Sequence, residues 1–84
     1  MNITVKLFAT LGAHLPPADR KARATRVEVP EGTSLLGLIE RMALPRDLCT
    51  LVLHNGVFVP QEILGDRCLE AEDTVAIWPP VGGG

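Results

Sequence analysis

The stretch "TLVLHNGVFVP", residues 50–60, constrains this chain more than any other. Asn55-Gly56 lies between two short apolar runs. A two-residue type I′ turn needs positive φ at both central positions, and Asn followed by Gly is the pair that accepts it. A β-hairpin is therefore expected here. Further strands read from the same period of two. Ile3, Val5 and Leu7 alternate with Asn2, Thr4 and Lys6, as on a half-buried strand. "ATRVEVP" places Val27 and Val29 on one face and stops at Pro30, after which "PEG" turns the chain. "TVAIW" reads as a last strand ended by Pro79.

One segment has a helical period. In "TSLLGLIERMALP", Leu35, Leu38, Ile39 and Met42 share a face. Thr33 or Ser34 is placed to cap it, and Pro45 closes it. Gly37 stands where a capping box would have Glu, and it weakens the helix by about 0.5–1 kcal/mol relative to Ala. "AHLPPADRKARATR" cannot be a regular helix throughout, because Pro16 and Pro17 interrupt it. "QEILGDRCLEAED" reads as a polar connector.

The order is strand, strand, helix, then three strands, and one helix covers only one face of such a sheet. The first and last strands are apolar and free of internal proline, so they are expected side by side in the middle. This is an α+β chain of β-grasp, ubiquitin-like type. It has a mixed four- to five-stranded sheet with one main helix on one face. Its 84 residues suffice for a single core and make one domain, 1–84, with a flexible C-terminal tail over 79–84. Hydrophobic residues are 46% of the chain but aromatics only 4%, with no Tyr. The core must be built mostly from Leu, Val, Ile and Ala.

Several function classes are disfavoured at once. A net charge of −2 and three aromatics offer little to a nucleic-acid backbone or to unstacked bases. "MNITVKLFA" alternates where a signal peptide would have an unbroken apolar run, and no stretch has the length of a membrane span. A soluble cytoplasmic protein is expected. Cys49 and Cys68 make neither a disulfide framework nor a metal site, and a two-iron, two-sulfur centre would need four cysteines.

Taken in order, "VKLFATL", "EGTSLLGLIERMALP", "HNGVFV" and "LEAEDTVAIWPPVGGG" resemble the MoaD/ThiS sulfur carriers, and within them the small subunit of molybdopterin synthase. The resemblance spans nearly the whole chain apart from the loop at 12–24. It implies that the carboxylate of Gly84 is the reactive group, adenylated and then converted to a thiocarboxylate. Gly83, Gly82, Val81 and Pro80 would enter a narrow site on the partner. The implied partners are an ATP-dependent, ubiquitin-activating-like adenylating enzyme, a sulfur donor and the synthase large subunit. ATP is used by the adenylating enzyme, and no cofactor or metal would be bound permanently by this chain, which supplies no catalytic residues of its own. Three departures stand out. Ala71-Glu72-Asp73 replaces the family's usual Asp-Gly-Asp, Gly82 stands where the molybdopterin branch often has Ala, Ser or Thr, and "VGGG" is also similar to thiamine-pathway carriers. The long first loop and the "LFATL" start favour the molybdopterin branch.

The tail's composition suits that role. Pro79 and Pro80 stiffen the exit from the last strand. Val81 to Gly84 span at most ~13–14 Å when extended, and glycines leave no side chain to block a channel. Sequence leaves rivals open: a carrier for thiamine, another thiometabolite or a tungsten cofactor, a ubiquitin-like modifier joined through Gly84 to a lysine, and a β-grasp interaction module with a functionless tail.

Other candidates have plain readings. Cys68 could carry a persulfide, but a small, half-buried apolar residue is the simpler expectation, and Cys49 is the same case. His54 reads as a solvated hairpin residue and His14 as part of the Pro-rich loop. Parity places Trp78 and Phe8 on the face opposite Val75, Ile77, Val5 and Leu7. There they would form either a partner interface or a surface over which loop 12–24 folds. Arg20, Lys21, Arg23 and Arg26 cluster, as do Glu62, Asp66, Glu70, Glu72 and Asp73. The two clusters are solvated surface or a means of steering a partner.

Overall fold

The computed structural model describes residues 1–80. Five strands form one mixed sheet: β1 (Asn2–Leu7), β2 (Ala24–Glu28), β3 (Leu51–His54), β4 (Val57–Phe58) and β5 (Thr74–Trp78). Among the described residues a single α-helix, α1 (Leu35–Arg41), follows β2. The strand order is β2-β1-β5-β3-β4. The first and last strands lie side by side in the centre and run parallel, and the other pairs are antiparallel. This is the expected β-grasp.

Local chemistry accounts for the elements. Asn55 and Gly56 take φ of 51° and 83°, the pair of positive values a type I′ turn requires, and β4 folds back on β3. Ser34 caps α1 by accepting the Gly37 N–H at 3.0 Å. Gly37 has a local reason. A Cβ there would meet Thr33 Cγ2 at 3.3 Å and Ser34 Oγ at 3.4 Å, crowding the capping residue. At seven residues the helix is too short to hold by propensity alone. It is kept by burying Leu35, Leu38 and Ile39. The proline-interrupted segment becomes two short 3-10 turns, Ala9–His14 and Pro17–Asp19.

The core lies between the sheet and α1. Ile3, Val5, Leu7, Val52, Val75 and Ile77 face Leu35, Leu38 and Ile39, all buried. As the composition requires, no aromatic ring belongs to this cluster. Each such aliphatic side chain contributes about 1.5–3 kcal/mol by leaving water. The irregular segments contribute too. Leu11 and Leu15 of the first loop, and Leu64 and Leu69 of the "polar connector", are also buried. Among the described residues no helix is long and apolar enough to cross a membrane.

Candidate functional site

The tail expected over 79–84 lies partly outside the described residues. Pro79 and Pro80 are described, while Val81, Gly82, Gly83 and Gly84 lie outside the described residues. What can be built from the residues is the base from which the tail departs. β5 is held on both sides, in parallel register with β1 and antiparallel with β3. Its last carbonyl, on Trp78, accepts the Thr50 N–H at 3.2 Å and the Thr50 hydroxyl at 3.1 Å. Pro79 follows at once and has no N–H to continue a ladder. The sheet therefore releases the chain after Trp78.

Parity decides what surrounds that point. Val75 and Ile77 are fully buried, so Ala76 and Trp78 stand on the opposite, helix-free face. Phe8 extends β1 by one residue in backbone conformation, with φ −111° and ψ 161°. Its ring stacks on Trp78, centroids 4.2 Å apart and planes 4° from parallel. Both residues are half-buried. The loop does not spend its leucines on covering them, because Leu11 and Leu15 are in the core. Phe8 and Trp78 therefore stand as a stacked, half-buried pair on the helix-free face.

The patch is larger than that pair. Leu51 lies opposite Trp78 in register, Leu53 opposite Ala76, and Phe58 opposite Leu53. Leu51 and Phe58 are 39% and 54% exposed. Sequence reasoning missed these three. Their parity relative to Trp78 depends on the register of β3 against β5, which no local pattern contains.

His54 is a correction. It pairs with Val75 in register, which puts it on the helix-covered face and not in solvent. Its Nε2 lies 2.6 Å from Asp73 Oδ2, and both side chains are only 12% exposed. Asp73 also accepts the Asn55 amide at 2.9 Å and the Glu70 N–H at 2.8 Å, while Asn55 Oδ1 accepts the Thr74 N–H at 2.7 Å. Burial pushes the Asp73 carboxyl up, but the hydrogen bonds from Asn55, Glu70 and His54 together outweigh it and hold the group below its ordinary 3.8. The knot ties the hairpin turn to the start of β5. The missing Asp-Gly-Asp glycine is also explained: Glu72 takes its place in the turn at φ 68° and donates its N–H to the Asn2 carbonyl at 2.8 Å.

The cysteines separate. Cys49 is buried, its thiol donates to the Pro45 carbonyl at 3.4 Å, and burial pushes its pKa up. That is the opposite of what a thiolate nucleophile needs. Cys68 is exposed rather than half-buried, and His14 is exposed as well. Among the described residues there is no pocket and no group of three His, Cys, Asp or Glu side chains placed to hold a metal ion.

Comparison with known proteins agrees with this arrangement. The profile of the ThiS family matches residues 5–84. Among curated proteins, none matches the chain's sequence. Among solved structures, SAMP1 from Haloferax volcanii is similar at TM-score 0.70 and 24% identity, covering 100% of both chains. A Pyrococcus furiosus protein assigned as molybdopterin converting factor subunit 1 gives 0.63 and 24%, covering 95% of this chain and 98% of that one. A chain from the complex of subunits 1 and 2 of the molybdopterin-converting factor of Helicobacter pylori gives 0.59 and 17%, covering 100% of both. At these identities the likeness is one of fold.

Proposed function

We propose, for a chain that belongs to the ThiS family of ubiquitin-like carriers of the MoaD/ThiS type, that it carries sulfur on the carboxyl group of Gly84. The pathway we assign is molybdopterin synthesis, with this chain as the small subunit of molybdopterin synthase. The observation that carries the proposal is the family match running through Gly84 itself, beyond a strand that releases its chain beside an open apolar face. The "PPV" before the glycines and the "LFATL" start support the molybdopterin branch over a thiamine or tungsten-cofactor carrier.

The chemistry follows from the group. A terminal carboxyl has a pKa of about 3.3–3.7, so at neutral pH it is an anion and a poor electrophile. In the adenylating enzyme a Gly84 oxygen attacks the α-phosphorus of ATP, and pyrophosphate leaves. The resulting mixed anhydride is open to attack at its acyl carbon by a sulfur donor, and AMP leaves with the anhydride oxygen. With hydrosulfide as donor, loss of its proton leaves the thiocarboxylate. With a persulfide donor, a thiol attacks the donor's own sulfur, breaks the S–S bond and carries the donor off as a disulfide, which leaves the same thiocarboxylate. The large subunit then holds the pterin precursor and performs the transfer. This chain contributes position: two prolines at the base, a slender tail, and Phe8 and Trp78 as the centre of the docking face.

Intact-mass measurement after incubation with the adenylating enzyme, ATP and sulfur donor is the test. One oxygen of Gly84 exchanged for sulfur is the expected result, and it requires Gly84 to end the mature chain. Deleting Gly84 withdraws the carboxylate by about 3.3–3.6 Å, and a misplacement of 1 Å can already cost on the order of 10²-fold in rate. The deletion should abolish pyrophosphate release and leave the melting temperature unchanged. A deletion variant that reacts at the full rate overturns the proposal. A lysine-linked adduct in place of the thiocarboxylate assigns the chain instead to protein modification, and a thiocarboxylate that the large subunit cannot use moves it to another sulfur pathway.

A further inference from the structure

The net charge of −2 conceals a division along the chain. Of eight basic and ten acidic residues, the first 27 positions hold Lys6, Arg20, Lys21, Arg23 and Arg26 against Asp19 alone. The fold preserves this division. Lys6 stands on the open face, in one row with Ala24, Ala76 and Leu53. The Arg23 carbonyl accepts the Leu7 N–H at 3.1 Å, which sets Arg23 level with Leu7 and its partner Ile77, where β5 runs out toward Trp78 and Pro79. Neighbouring strands are about 4.8 Å apart, so the Arg23 backbone stands roughly 10 Å from β5. Arg20 and Lys21 belong to the same turn, since the Arg23 N–H donates to the Arg20 carbonyl at 3.2 Å. Glu70, Glu72 and Asp73 lie at the other end of β5, ahead of Thr74.

Among the described residues this basic group is largely not neutralised. Arg26 finds Glu72 at 2.9 Å, but among the described residues Lys6, Arg20, Lys21 and Arg23 form no ion pair. Asp19, the one carboxylate nearby in sequence, accepts the Thr25 hydroxyl at 2.7 Å. Arg20 is held in position: its Nε and Nη2 donate to the carbonyls of Leu15 and Ala13, both at 3.1 Å. Arg23 occupies the left-handed region at φ 57°, where glycine would sit without strain. A basic group without an ion-pair partner among the described residues therefore stands at the end of the sheet where β5 runs out, with Lys6 on the open face and Arg20 held in the turn.

We propose that the adenylating enzyme that takes up the C-terminal tail presents an acidic surface to Lys6, Arg20, Lys21 and Arg23, so that charge orients the docking which the apolar patch then holds. The inference rests on the sulfur-carrier reading and adds the chemistry of the partner's rim. A protein suits the site better than a nucleic acid does, because Lys6 shares its row with Ala76 and Leu53 and two of the three rings of the patch are already stacked on each other. Exposed charges of this kind act mainly on the rate of association and on its salt dependence, and steering raises on-rates by about 10–10³-fold.

The experiment measures stopped-flow association of the full chain with the adenylating enzyme encoded in the same genome, at low and high salt. Association should slow as salt rises. Lys21→Glu with Arg23→Glu should slow it about tenfold or more at low salt, with little change in dissociation. Arg23→Gly suits the observed φ, so it should lower the on-rate without lowering the melting temperature. On-rates unchanged by the double reversal, or insensitive to salt, overturn the assignment. So does finding that the same substitutions abolish only self-association in the ultracentrifuge, or only binding of a labelled single-stranded oligonucleotide. Intact mass separates the two readings. Charge variants should still become fully thiocarboxylated at saturating enzyme. A wild-type chain that associates as expected yet never gains sulfur overturns the carrier reading and leaves the acidic partner standing.

Discussion

The two faces of the sheet are made from alternate residues of the same strands, yet they serve different ends. On β5, Val75 and Ile77 are fully buried under α1, while Ala76 and Trp78 point to the face that has no helix. On β3, Val52 is buried and Leu51 is 39% exposed. The covered face is consumed by folding. The open face keeps apolar area that folding does not use, beside the point where the tail leaves. Side chains one position apart therefore answer to stability on one side and, on the proposed function, to recognition on the other, and substitutions should separate the two.

The largest effect on folding belongs to the covered face. Ile77→Ala should cost about 2–5 kcal/mol, read as a large drop in melting temperature. A loss under 1 kcal/mol would break the comparison. On the open face, Phe8→Ala with Trp78→Ala should weaken partner affinity by about 2 kcal/mol or more, roughly 30-fold. The stacked pair contributes only about 0.5–1.5 kcal/mol beyond its buried area. Titration calorimetry beside a thermal melt decides between them. Collapse of the fold to the extent seen in Ile77→Ala would place both rings in the core.

Two smaller effects sharpen the comparison at the edge where the faces meet. Asp73 has a carboxyl lowered in the folded state from an ordinary 3.8. Its stabilisation is fully present above that value and is lost as pH falls through the lower, folded one. Melts taken below about pH 4 should therefore show a steeper acid loss in the wild type than in Asp73→Asn, and parallel acid limbs would count against the knot. Glu72→Gly should relieve about 1–2 kcal/mol of left-handed strain. It also removes an ion pair to Arg26 whose side chains are 53% and 65% exposed, worth about 0–1 kcal/mol. The net change should be slight and stabilising, and a loss above about 1 kcal/mol would show that the pair matters more than its exposure suggests.

Much of the fold could be read from residues alone because its signals are local. Asn55-Gly56 specifies its turn through backbone φ, Ser34 caps through a single hydrogen bond, and Leu35, Leu38 and Ile39 share a face by helical period. Leu11, Leu15, Leu64 and Leu69 were not recognisable as core, since a leucine in an irregular segment carries no period to say where it points. His54 was misjudged for a related reason. Its neighbours are turn residues, and only the register opposite Val75 brings it to Asp73, nineteen residues away.

By itself the sequence determined the strands, the single α-helix of the described residues, the odd-even division of β1 and β5, and the terminal glycines through which the family match runs. These depend on chain-local geometry: a period of two, a period of 3.6, a proline without an N–H, a turn that needs positive φ. The tertiary structure alone decided which residues of other strands join Phe8 and Trp78, that Asp73 gathers His54 and Asn55, and that the basic turn stands level with the exit of β5. Parity within one strand is intrinsic to the chain. Parity between strands exists only once hydrogen-bond register has been chosen, and a shift of one residue would exchange the two faces.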